Sequence, residues 1–519
     1  MLNCKRMKKL LYSFLIILAA KTEVLAQQVN LGQKLNQYVK QFNADDNEAV
    51  KNLVPNADAY LWLNENIPLL DFPDKEIEEK YYFRWWSFRK HLKQTPDGYI
   101  FTEFIEPVKH AGKHQSISCA LGHHIYEGRW LKNQEYMKQY LNFWLYDADK
   151  GQSKPRFHQF SSWVDDAVLA QYMVHPDKAY LQKILPALDA DYEKWEQERK
   201  LKNGMFWQHD VKDGMEESVS GSRRDENMRP TINSYMYGNA KALALLANEV
   251  NNPTLTQKYA SRAAVLKQLV QDSLWDAKEK FFKTKMAKGD TLHGAREAIG
   301  FIPWYFNLPA DKKEYAKAWS QLLDTAGFKA KWGLTTAERR EPTFRTRGSG
   351  HGCEWDGAVW PFASSQTLRG LSNLLNNYSK KGKMNASVFY NELHKYAWSQ
   401  QMYGKPYIGE YQDESNGEWL KGDHPRSKFY NHSTFMDLVI QDLIGLKPQL
   451  DNSIIIKPLI PKGKVDWFQL SQVPYKGKIL AIIWDKTGER YQKGKGLMLF
   501  ADGKLIAQSK KLQTLKVNL

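Results

Sequence analysis

Apolar residues recur at intervals of three and four through the middle of the chain, from about residue 59 to residue 447. This spacing is typical of helices that bury one face. It predicts helices over 180–192, 240–247, 259–274, 315–323, 364–378, 388–401 and 434–444. Polar loops rich in glycine, tryptophan and carboxylates separate these segments. Alternating helices and loops of this kind favour a toroid of paired helices whose chemistry lies at one mouth.

The hydrophobic period changes after residue 447. Short β-branched or apolar runs begin at Ser453, Lys478 and Gly496 and are broken by turn residues, a pattern typical of strands. Asp502-Gly503 has the residue types of a two-residue hairpin. We therefore predict a small antiparallel β domain over 448–519 packed against a helical domain over 59–447. Residues 27–58 are polar, with weak helical periodicity, and form a leader into the helical domain.

The first 26 residues have the pattern of a secretory signal peptide. Cations between Lys5 and Lys9 precede an apolar stretch from Leu10 to Ala20, and Val24-Leu25-Ala26 offers a small-residue cleavage site. The apolar stretch is shorter than the roughly 20 residues that a membrane-spanning helix needs. The sequence thus predicts an exported protein, periplasmic or secreted, without a membrane span.

Composition narrows the classes of function. The chain has 519 residues, of which 42% are apolar and 25% charged, so it can bury a large core. Its three cysteines exclude a disulfide scaffold and a multi-cysteine metal site. Cys119 and Cys353 either pair or stay as small buried hydrophobes, and we favour the second. The net charge of +16 favours acidic partners, but the basic residues are dispersed, so no nucleic-acid partner is predicted.

Several familiar catalytic motifs are absent from the sequence. It contains no Walker loop, Gly-x-Gly-x-x-Gly, His-Glu-x-x-His or Gly-x-Ser-x-Gly, which disfavours nucleotide enzymes, zinc proteases and serine esterases. His123, His124 and His432 have no further ligand group at close spacing, so no metal site is predicted there. No cofactor is predicted, and carboxylate chemistry is the leading interpretation.

The first candidate site is a crowded acidic loop. Asp210, Asp213, Glu216 and Glu217 lie within eight residues, beside aromatic residues and glycines. Crowded carboxylates oppose each other's ionisation, so the pKa of one of them can rise enough to make a general acid. A solvated acidic loop and a calcium-binding turn remain alternatives.

The second candidate is Glu410, between Gly409 and Tyr411 on an extended stretch before a turn at Asn416-Gly417. A carboxylate in such a place can face a cavity and deprotonate a water molecule. The alternative is an exposed loop charge.

Aromatic residues adjoin charged ones in three further segments. Sugar rings stack on tryptophan, and their hydroxyl groups bond to carboxylates and guanidinium groups, so these segments are candidate sugar-binding elements. Packing in helix cores is the alternative for each. The residues singled out are Arg84 and Trp86, Trp163 and Asp165, and Trp355, Asp356 and Trp360.

The order of three motifs resembles that of a known enzyme group. Asp213-Gly-Met-Glu-Glu-Ser, Trp355-Asp-Gly-Ala-Val-Trp-Pro-Phe and Gly409-Glu-Tyr-Gln-Asp-Glu-Ser-Asn-Gly-Glu resemble the (α/α)6-barrel inverting glycoside hydrolases. The nearest likeness is to mannosylglycerate-hydrolase-like proteins, related to glycoside hydrolase family 63 and the trehalases. The resemblance covers roughly residues 60–447. It implies a mainly α fold, an (α/α)6 toroid or six-hairpin glycosidase, with the small antiparallel β domain after it.

The resemblance implies roles for individual residues. The general acid position falls on Glu216 and the general base position on Glu410. The family has Asp at the acid position, and one extra methylene displaces the proton by about 1 Å, so Asp213 is kept as the alternative acid. Asp356-Gly357 stands where the family has Gly-Pro, which affects the expected substrate more than the reaction.

The sequence-based hypothesis is therefore an exported hydrolase that cleaves an α-linked glycosidic bond by inversion, with no cofactor. Trp360, Trp163 and Trp86 would enclose the sugar, with Trp355 beside them, and Asp165, Asp356 and Arg84 would bind its hydroxyl groups. One alternative is a polysaccharide lyase that uses Tyr235, Tyr237 and His432, since the basic charge suits a uronate. The other is a non-catalytic glycan-binding protein. The sugar, the linkage, exo or endo action and the oligomeric state are not predicted.

Overall fold

Helices occupy most of the segments where apolar residues recur with the helical period. A computed structural model describes residues 30–154, 156–346 and 353–519, so the predicted signal peptide, residues 1–26, lies outside the described part. The α-helices are α1 (Leu31–Ala44), α2 (Ala59–Asn66), α3 (Lys75–Lys90), α4 (Leu121–Gly128), α5 (Glu135–Asn142), α6 (Val164–Val174), α7 (Lys178–Arg199), α8 (Pro230–Glu249), α9 (Pro253–Ser273), α10 (Ile302–Tyr305), α11 (Lys313–Ala316), α12 (Pro361–Asn377) and α13 (Ala386–Ser399). None of the helices in the described residues is long and apolar enough to cross a membrane.

Two predicted helices differ in type from the α-helix that the sequence suggests. The segment predicted over 315–323 is mostly 3₁₀ helix, Lys317–Leu323, after the single turn of α11. The segment predicted over 434–444 contains a π-helix, Leu438–Leu443. A π-helix places residues five apart on the same side. Asp437 and Asp442 have this spacing, and both bind the guanidinium of Arg369.

The C-terminal region forms antiparallel sheets that also recruit earlier residues. The strands of these sheets are β1 (Leu69–Asp71), β8 (Leu446–Lys447), β9 (Ser453–Ile456), β10 (Trp467–Tyr475), β11 (Lys478–Asp485), β12 (Gly496–Ala501), β13 (Lys504–Ser509) and β14 (Leu515–Asn518). One sheet has the order β1-β10-β11-β12-β13, and the other has the order β14-β9-β8. Because β1 and β8 precede residue 448, the sheets are continuous with the helical part of the chain.

Short two-stranded ladders complete the secondary structure: β2 (Leu92–Thr95) with β3 (Gly98–Phe101), β4 (Trp275–Asp276) with β5 (Phe281–Phe282), and β6 (Gln401–Met402) with β7 (Lys405–Pro406). The turn expected at Asp502-Gly503 connects β12 to β13. Both residues have positive φ, 47° and 78°, as a type I′ hairpin turn requires.

The N-terminal leader is fixed to the C-terminal sheet through one buried carboxylate. Asp71 of β1 accepts hydrogen bonds from Arg490 at 2.9 and 3.0 Å and from the Tyr491 hydroxyl at 2.7 Å. Lys34 of α1 pairs with the other oxygen of Asp71. Asp71 therefore connects α1, near the beginning of the described chain, to residues 490 and 491, near its end.

A second connection joins the end of the helical region to α3 and α4. Glu127 accepts backbone N–H groups from Phe435, from Met436 at 3.1 Å and from Asp437 at 2.8 Å. These are donors at the start of the last helix, which have no partner within the helix itself. The guanidinium of Arg84 donates to the carbonyl oxygen of Ser433 at 2.6 Å. Residues 433–437 are thus held by helices that lie more than 300 positions earlier.

Buried charges surround the same junction. The Asp437 carboxylate binds Arg129 and Arg369 and accepts the Trp130 indole N–H at 2.7 Å. Asp442 pairs with Arg369 at 2.9 Å and with Lys447 at 2.7 Å. The cluster therefore links α4, α12, the π-helix and β8.

We expect Asp437→Ala to lower the free energy of unfolding by about 3–5 kcal/mol, because it leaves two buried guanidinium groups without their carboxylate. Urea denaturation followed by tryptophan fluorescence measures this change. Asp466→Ala is the matched control, because Asp466 and its partner Lys486 are both more than half exposed and the variant should unfold near the wild-type midpoint. Equal losses in both variants would contradict a special role for the buried cluster.

Candidate active site

Glu216 and Glu410 line one pocket. The pocket has a volume of about 480 Å³, counted out to its open mouth. Aromatic residues form much of its wall, and a third glutamate, Glu103, lies in it. The polar or ionisable side chains in the lining are Glu103, His110, Cys119, Glu216, Cys353, Glu410, Arg426, Tyr430 and His432.

Glu410 is a buried hydrogen-bond acceptor in this pocket, with 2% of its surface exposed. The Ser427 hydroxyl donates to one carboxylate oxygen at 3.2 Å, and the Arg426 guanidinium donates to the other at 3.4 Å. Burial raises the pKa of Glu410 above its ordinary value, and the positive charge of Arg426 opposes that rise. Two donors, one of which is the Arg426 cation, suit a carboxylate that accepts a proton.

The backbone around Glu410 is anchored to the segment that carries Trp360. Val359 and Gln412 exchange both of their backbone hydrogen bonds, at 2.9 and 3.0 Å. This short antiparallel bridge keeps the backbone near Glu410 extended, as the sequence predicts. The carboxylate is therefore not on a free loop.

Glu216 lies on a loop that begins with a 3₁₀ turn, Asp210–Lys212. Burial raises the pKa of Glu216 to about 7, and the negative charge of Glu410 adds to the rise. A group with this pKa is partly protonated at neutral pH, as a general acid must be. The backbone carbonyl of Glu216 accepts the N–H of Trp355 at 3.3 Å, which ties the acidic loop to the tryptophan segment.

The loop around Glu216 is sharply bent. Glu217 has φ of 64°, in the left-handed region that side chains other than glycine rarely adopt. Gly214 has φ of 70°, and a Cβ at that position would lie 2.3 Å from Cys119 Sγ. Such strain is found where surrounding contacts fix an unusual backbone, often at functional sites.

Asp213, the alternative acid, supplies one of those contacts and does not line the pocket. It is buried, and its carboxylate accepts hydrogen bonds from Arg229 Nε at 2.6 Å, from the Ser161 hydroxyl at 2.6 Å and from Thr231. A guanidinium and two hydroxyl groups thus occupy this carboxylate. The geometry therefore favours Asp213 as an anchor for the loop and Glu216 as the acid of the two predicted candidates.

The calcium interpretation of the acidic loop gains no support from its geometry. Asp213 is committed to Arg229, and Glu217 binds Arg223 at 3.0 Å. Across the described ranges, no group of three His, Cys, Asp or Glu side chains is arranged to hold a metal ion.

Trp360 lines the pocket, but its two ring faces are covered. Trp355 stacks on it at a centroid distance of 4.4 Å, and Tyr411 stacks on it at 4.6 Å. Its indole N–H donates to the carbonyl of Glu354 at 2.9 Å. Trp360 therefore presents an edge, and not the face that the sequence-based hypothesis gave it. Trp355 lies behind Trp360 and is not part of the lining.

Asp356 faces a neighbouring cavity on the other side of the acidic loop, where Asp210 and Ser218 also lie. Its carboxylate accepts a hydrogen bond from Arg345 Nε at 2.5 Å. The predicted contact between Asp356 and a sugar in the Glu216–Glu410 pocket is therefore not supported by its position.

Arg84 and Trp86 do not line the pocket and serve packing instead. Arg84 donates to Ser433 and to Gln400, which occupies its guanidinium. The Trp86 indole donates to Asn43 at 2.8 Å, and its ring packs against Phe42 of α1 at 5.9 Å. In α3, the aromatic side chain of Trp86 therefore packs in the core, and the charged side chain of Arg84 is bound by other residues of the protein.

Trp163 and Asp165 are also absent from the lining. Trp163 is fully buried and packs against Tyr235 at 4.8 Å and His123 at 4.9 Å. Asp165 is fully buried, and burial, reinforced by the charge of Asp191, raises the pKa of its carboxyl well above the ordinary value. The placement of these two residues therefore gives no support to their predicted contacts with a sugar in this pocket.

Sequence reasoning missed Glu103 and Arg426. Glu103 follows β3, accepts a hydrogen bond from the Tyr430 hydroxyl at 2.5 Å, and has its pKa raised to about 8, chiefly by burial. Neither residue lies in a crowded or recurring motif, so the sequence offered no signal for them. Cys119 and Cys353 are unpaired, as favoured, but they are half-buried and line the pocket.

A family model matches the part of the chain that carries most of this pocket. Residues 113–433, more than half of the chain, match the family model described as the mannosylglycerate hydrolase MGH1-like glycoside hydrolase domain. The chain belongs to this family. The match confirms the resemblance drawn from the three motifs.

Known structures share the fold of this MGH1-like chain. A solved protein named sialidase is 49% identical with a TM-score of 0.91, over 94% of this chain and 45% of that one. The family 63 mannosylglycerate hydrolase of Thermus thermophilus, in complex with glucose, is 13% identical with a TM-score of 0.53, over 69% of this chain and 98% of that one. The second likeness shows the fold alone.

The name of one curated relative does not state an activity. An uncharacterized protein of Borreliella burgdorferi is 24% identical over 195 residues, which are 38% of this chain and 39% of the relative. The MGH1-like chain thus spans less than half of the sialidase-named protein, and its match covers about two fifths of the curated relative.

The MGH1-like match includes Glu216, Glu410 and His432 but begins after Glu103. Glu103 therefore reaches the pocket from outside the matched range. Its neighbour Asn431 holds it there, because the Asn431 N–H donates to the Glu103 carbonyl at 3.0 Å.

We expect Glu103→Gln to stabilise the protein increasingly as the pH rises from about 4.5 to about 8. The pKa of Glu103 rises from an ordinary value of 4.5 to about 8 in the folded chain, so the unfolded chain loses this proton first and wild-type stability falls across that window. Glutamine does not titrate. Thermal unfolding at a series of pH values should show a gap on the order of a few degrees that is absent near pH 4.

Glu106→Gln is the matched control, because Glu106 lies three positions away and outside the pocket lining. A gap between Glu103→Gln and wild type that stays constant with pH would contradict the burial of an ionisable Glu103.

Proposed function

We propose that this chain is an exported glycoside hydrolase that cleaves an α-linked sugar by inversion. Its family membership supports hydrolysis of a glycosidic bond. The observation that carries the proposal is that Glu216 and Glu410, from distant parts of the sequence, line one aromatic-walled pocket. Export rests on the pattern of residues 1–26. The likeness to the family 63 fold supports an (α/α)6 arrangement of the helices.

The two glutamates have environments suited to different roles. Glu216, with a pKa of about 7, protonates the departing glycosidic oxygen. Glu410, which accepts a hydrogen bond from Arg426, takes a proton from a water molecule that attacks the anomeric carbon from the opposite face. In inverting enzymes the two carboxyl groups stand about 6.5–9.5 Å apart, which leaves room for that water.

The lyase alternative has less support. Tyr235 and Tyr237 are buried outside the pocket lining, and the Tyr235 hydroxyl accepts a hydrogen bond from Gln366 at 2.7 Å. His432 does line the pocket, and burial lowers its pKa well below the ordinary value, so it is neutral. The name of one relative, sialidase, adds sialosides to the substrates worth testing. Binding without turnover across a glycan panel would favour the non-catalytic alternative.

We expect Glu410→Gln and Glu216→Gln to fold normally and to lower kcat by about 10²–10⁴-fold each, since each removes one proton-transfer group. Turnover is measured on a panel of nitrophenyl α-glycosides and natural oligosaccharides, with the matched Glu217→Gln variant as control. Glu217 adjoins Glu216 but binds Arg223 and is not part of the lining.

Near-normal turnover in Glu410→Gln would remove that residue from the mechanism. The first-formed anomer, observed by NMR during hydrolysis, reports the stereochemistry. A retained anomer would exclude the attack by water that Glu410 is proposed to assist.

We expect kcat/KM to fall above about pH 7, as Glu216 loses its proton, and to fall again at low pH, as Glu410 gains one. The charge of Arg426 lowers the pKa of Glu410. Arg426→Met should therefore move the acid limb of the pH profile to higher pH, and should move the alkaline limb less. A pH series of kcat/KM for both proteins measures this shift. An acid limb that does not move would show that Glu410 is not the titrating base.

A further inference from the structure

The five-stranded sheet β1-β10-β11-β12-β13 has an outer face that does not belong to the main core. Its inward face does belong to that core, as Phe468 of β10 and Leu499 of β12 show. Side chains alternate between the two faces along each strand. The outer face carries a second, small apolar cluster of Ile483, Tyr491 and Met498, with Trp467 and Phe500 packed against it.

An open groove of about 560 Å³ lies on this outer face. Its volume is in the range of ligand-binding clefts. Phe500 and Ile479 give it apolar surface, and Ile479 is 43% exposed. Ala481 is directly opposite Phe500 in the β-ladder, and this small side chain leaves room beside the ring. The groove shares no lining residue with the Glu216–Glu410 pocket.

A β-bulge in β10 turns two glutamine side chains toward the groove. Residues three apart in a regular strand point to opposite faces, yet Gln469 and Gln472 both line the groove. The register of β10 against β11 shifts between Leu470 and Val473, and Gln472 has φ of 61°. Bulges redirect side chains in this way and are frequent beside functional sites.

The protein orients both glutamine amides. Gln469 Nε2 donates to the Ser471 hydroxyl at 2.7 Å, and Gln472 Oε1 accepts a hydrogen bond from Lys132 Nζ. No described residue is bonded to the other polar atom of either amide, Oε1 of Gln469 or Nε2 of Gln472. The groove therefore offers one acceptor and one donor beside an apolar ring, a combination that suits the hydroxyl groups and the apolar face of a sugar unit.

Positive charge is concentrated in this part of the chain. Residues 448–519 contain 13 lysine and arginine residues but five aspartate and glutamate residues, so they hold half of the net charge of +16. Three of these cations have carboxylate partners: Lys478 with Asp502, Lys486 with Asp466, and Arg490 with Asp71.

Four other lysines lie together at one end of β12 and β13. Lys493 lines the groove, and Lys495, Lys510 and Lys511 are exposed beside it, at the start of β12 and the end of β13. Gln508 Nε2 donates to the Lys495 carbonyl at 2.9 Å, which holds the two segments together. None of the four lysines forms an ion pair with a described residue, so they favour an anionic partner.

The groove decides which kind of anion fits best. A nucleic acid or an anionic membrane would be attracted by the lysines alone. A polysaccharide with carboxylate or sulfate groups also has hydroxyl groups for Gln469 and Gln472 and an apolar ring face for Phe500. The groove and the lysines together therefore match an acidic polysaccharide.

We propose that the outer face of the five-stranded sheet is a binding surface for an acidic polysaccharide. Phe500, Gln469 and Gln472 bind a sugar unit in the groove, and the four lysines bind acidic groups farther along the same polymer. This surface goes beyond the proposed reaction, because it is separate from the Glu216–Glu410 pocket.

Equilibrium binding to the full chain tests the proposal without requiring turnover. The probes for titration calorimetry at pH 7 and low salt are polygalacturonate, heparin, uncharged dextran and polyglutamate, a polyanion without sugars. We expect polygalacturonate or heparin to bind at least about tenfold more tightly than dextran and than polyglutamate. Added salt should weaken this binding, because the lysines are exposed.

Variants locate the surface. Replacing Lys493, Lys495, Lys510 and Lys511 together by glutamate should weaken polysaccharide binding by at least about tenfold. The matched control makes the same change in net charge at four exposed lysines of the helical region, and it should stay within about threefold of wild type. These control lysines are Lys202, Lys278, Lys312 and Lys383.

Two further variants test the groove apart from the charge. Gln469→Ala and Phe500→Ala should each weaken binding of the polysaccharide by about fivefold and leave binding of polyglutamate unchanged. Thermal unfolding checks that every variant is folded. Glu410→Gln should bind the polysaccharide as wild type does, so failure of the proposed reaction and failure of this surface are observed separately.

Four results would overturn the proposal. The first is no binding of either acidic polysaccharide, and the second is equal binding of dextran or polyglutamate. The third is unchanged affinity in the folded four-lysine variant. The fourth is binding to vesicles that contain phosphatidylglycerol in preference to both polysaccharides, which would make the outer face a membrane-binding surface.

Discussion

The structure depends on the junction between residues 431–437 and the early helices α3 and α4. Glu127 and Asp437 are buried carboxylates there, and such groups are tolerated only when fully bonded. Three backbone N–H groups bind Glu127, and two guanidinium groups bind Asp437. The pocket needs this junction, because Glu103 comes from the early part of the chain and Glu410 from the late part.

Electrostatic coupling among three glutamates gives the pocket its chemistry. Burial raises the pKa of Glu103, Glu216 and Glu410, and the charge of Glu410 raises the pKa of the other two further. Such groups titrate together, and nearby cations oppose the rise in pKa at each of them. Arg426 lies against Glu410 and not against Glu216. The position of Arg426 therefore distinguishes the environment of Glu410 from that of Glu216.

Periodicity and motifs predicted the parts of the molecule that depend on local sequence. The apolar spacing of 364–378 corresponds to α12, and the residue types of Asp502-Gly503 correspond to the hairpin turn. Trp86 was misplaced because an aromatic run looks the same whether a helix faces a core or a cavity. Asp213 was ambiguous because its partners Arg229 and Ser161 lie on other elements. Such contacts are set by tertiary packing, which local patterns do not encode.

The pocket combines residues from inside and from outside the matched family range. Glu216 and Glu410 lie within the matched family range, whereas Glu103 lies before it, on the chain that leaves β3. Glu103 is joined to the rest of the pocket through Tyr430 and the backbone of Asn431. A change at residue 103 therefore acts on the pocket from the side of Tyr430 and Asn431, while the backbone of the acidic loop stays anchored by Asp213 and Arg229.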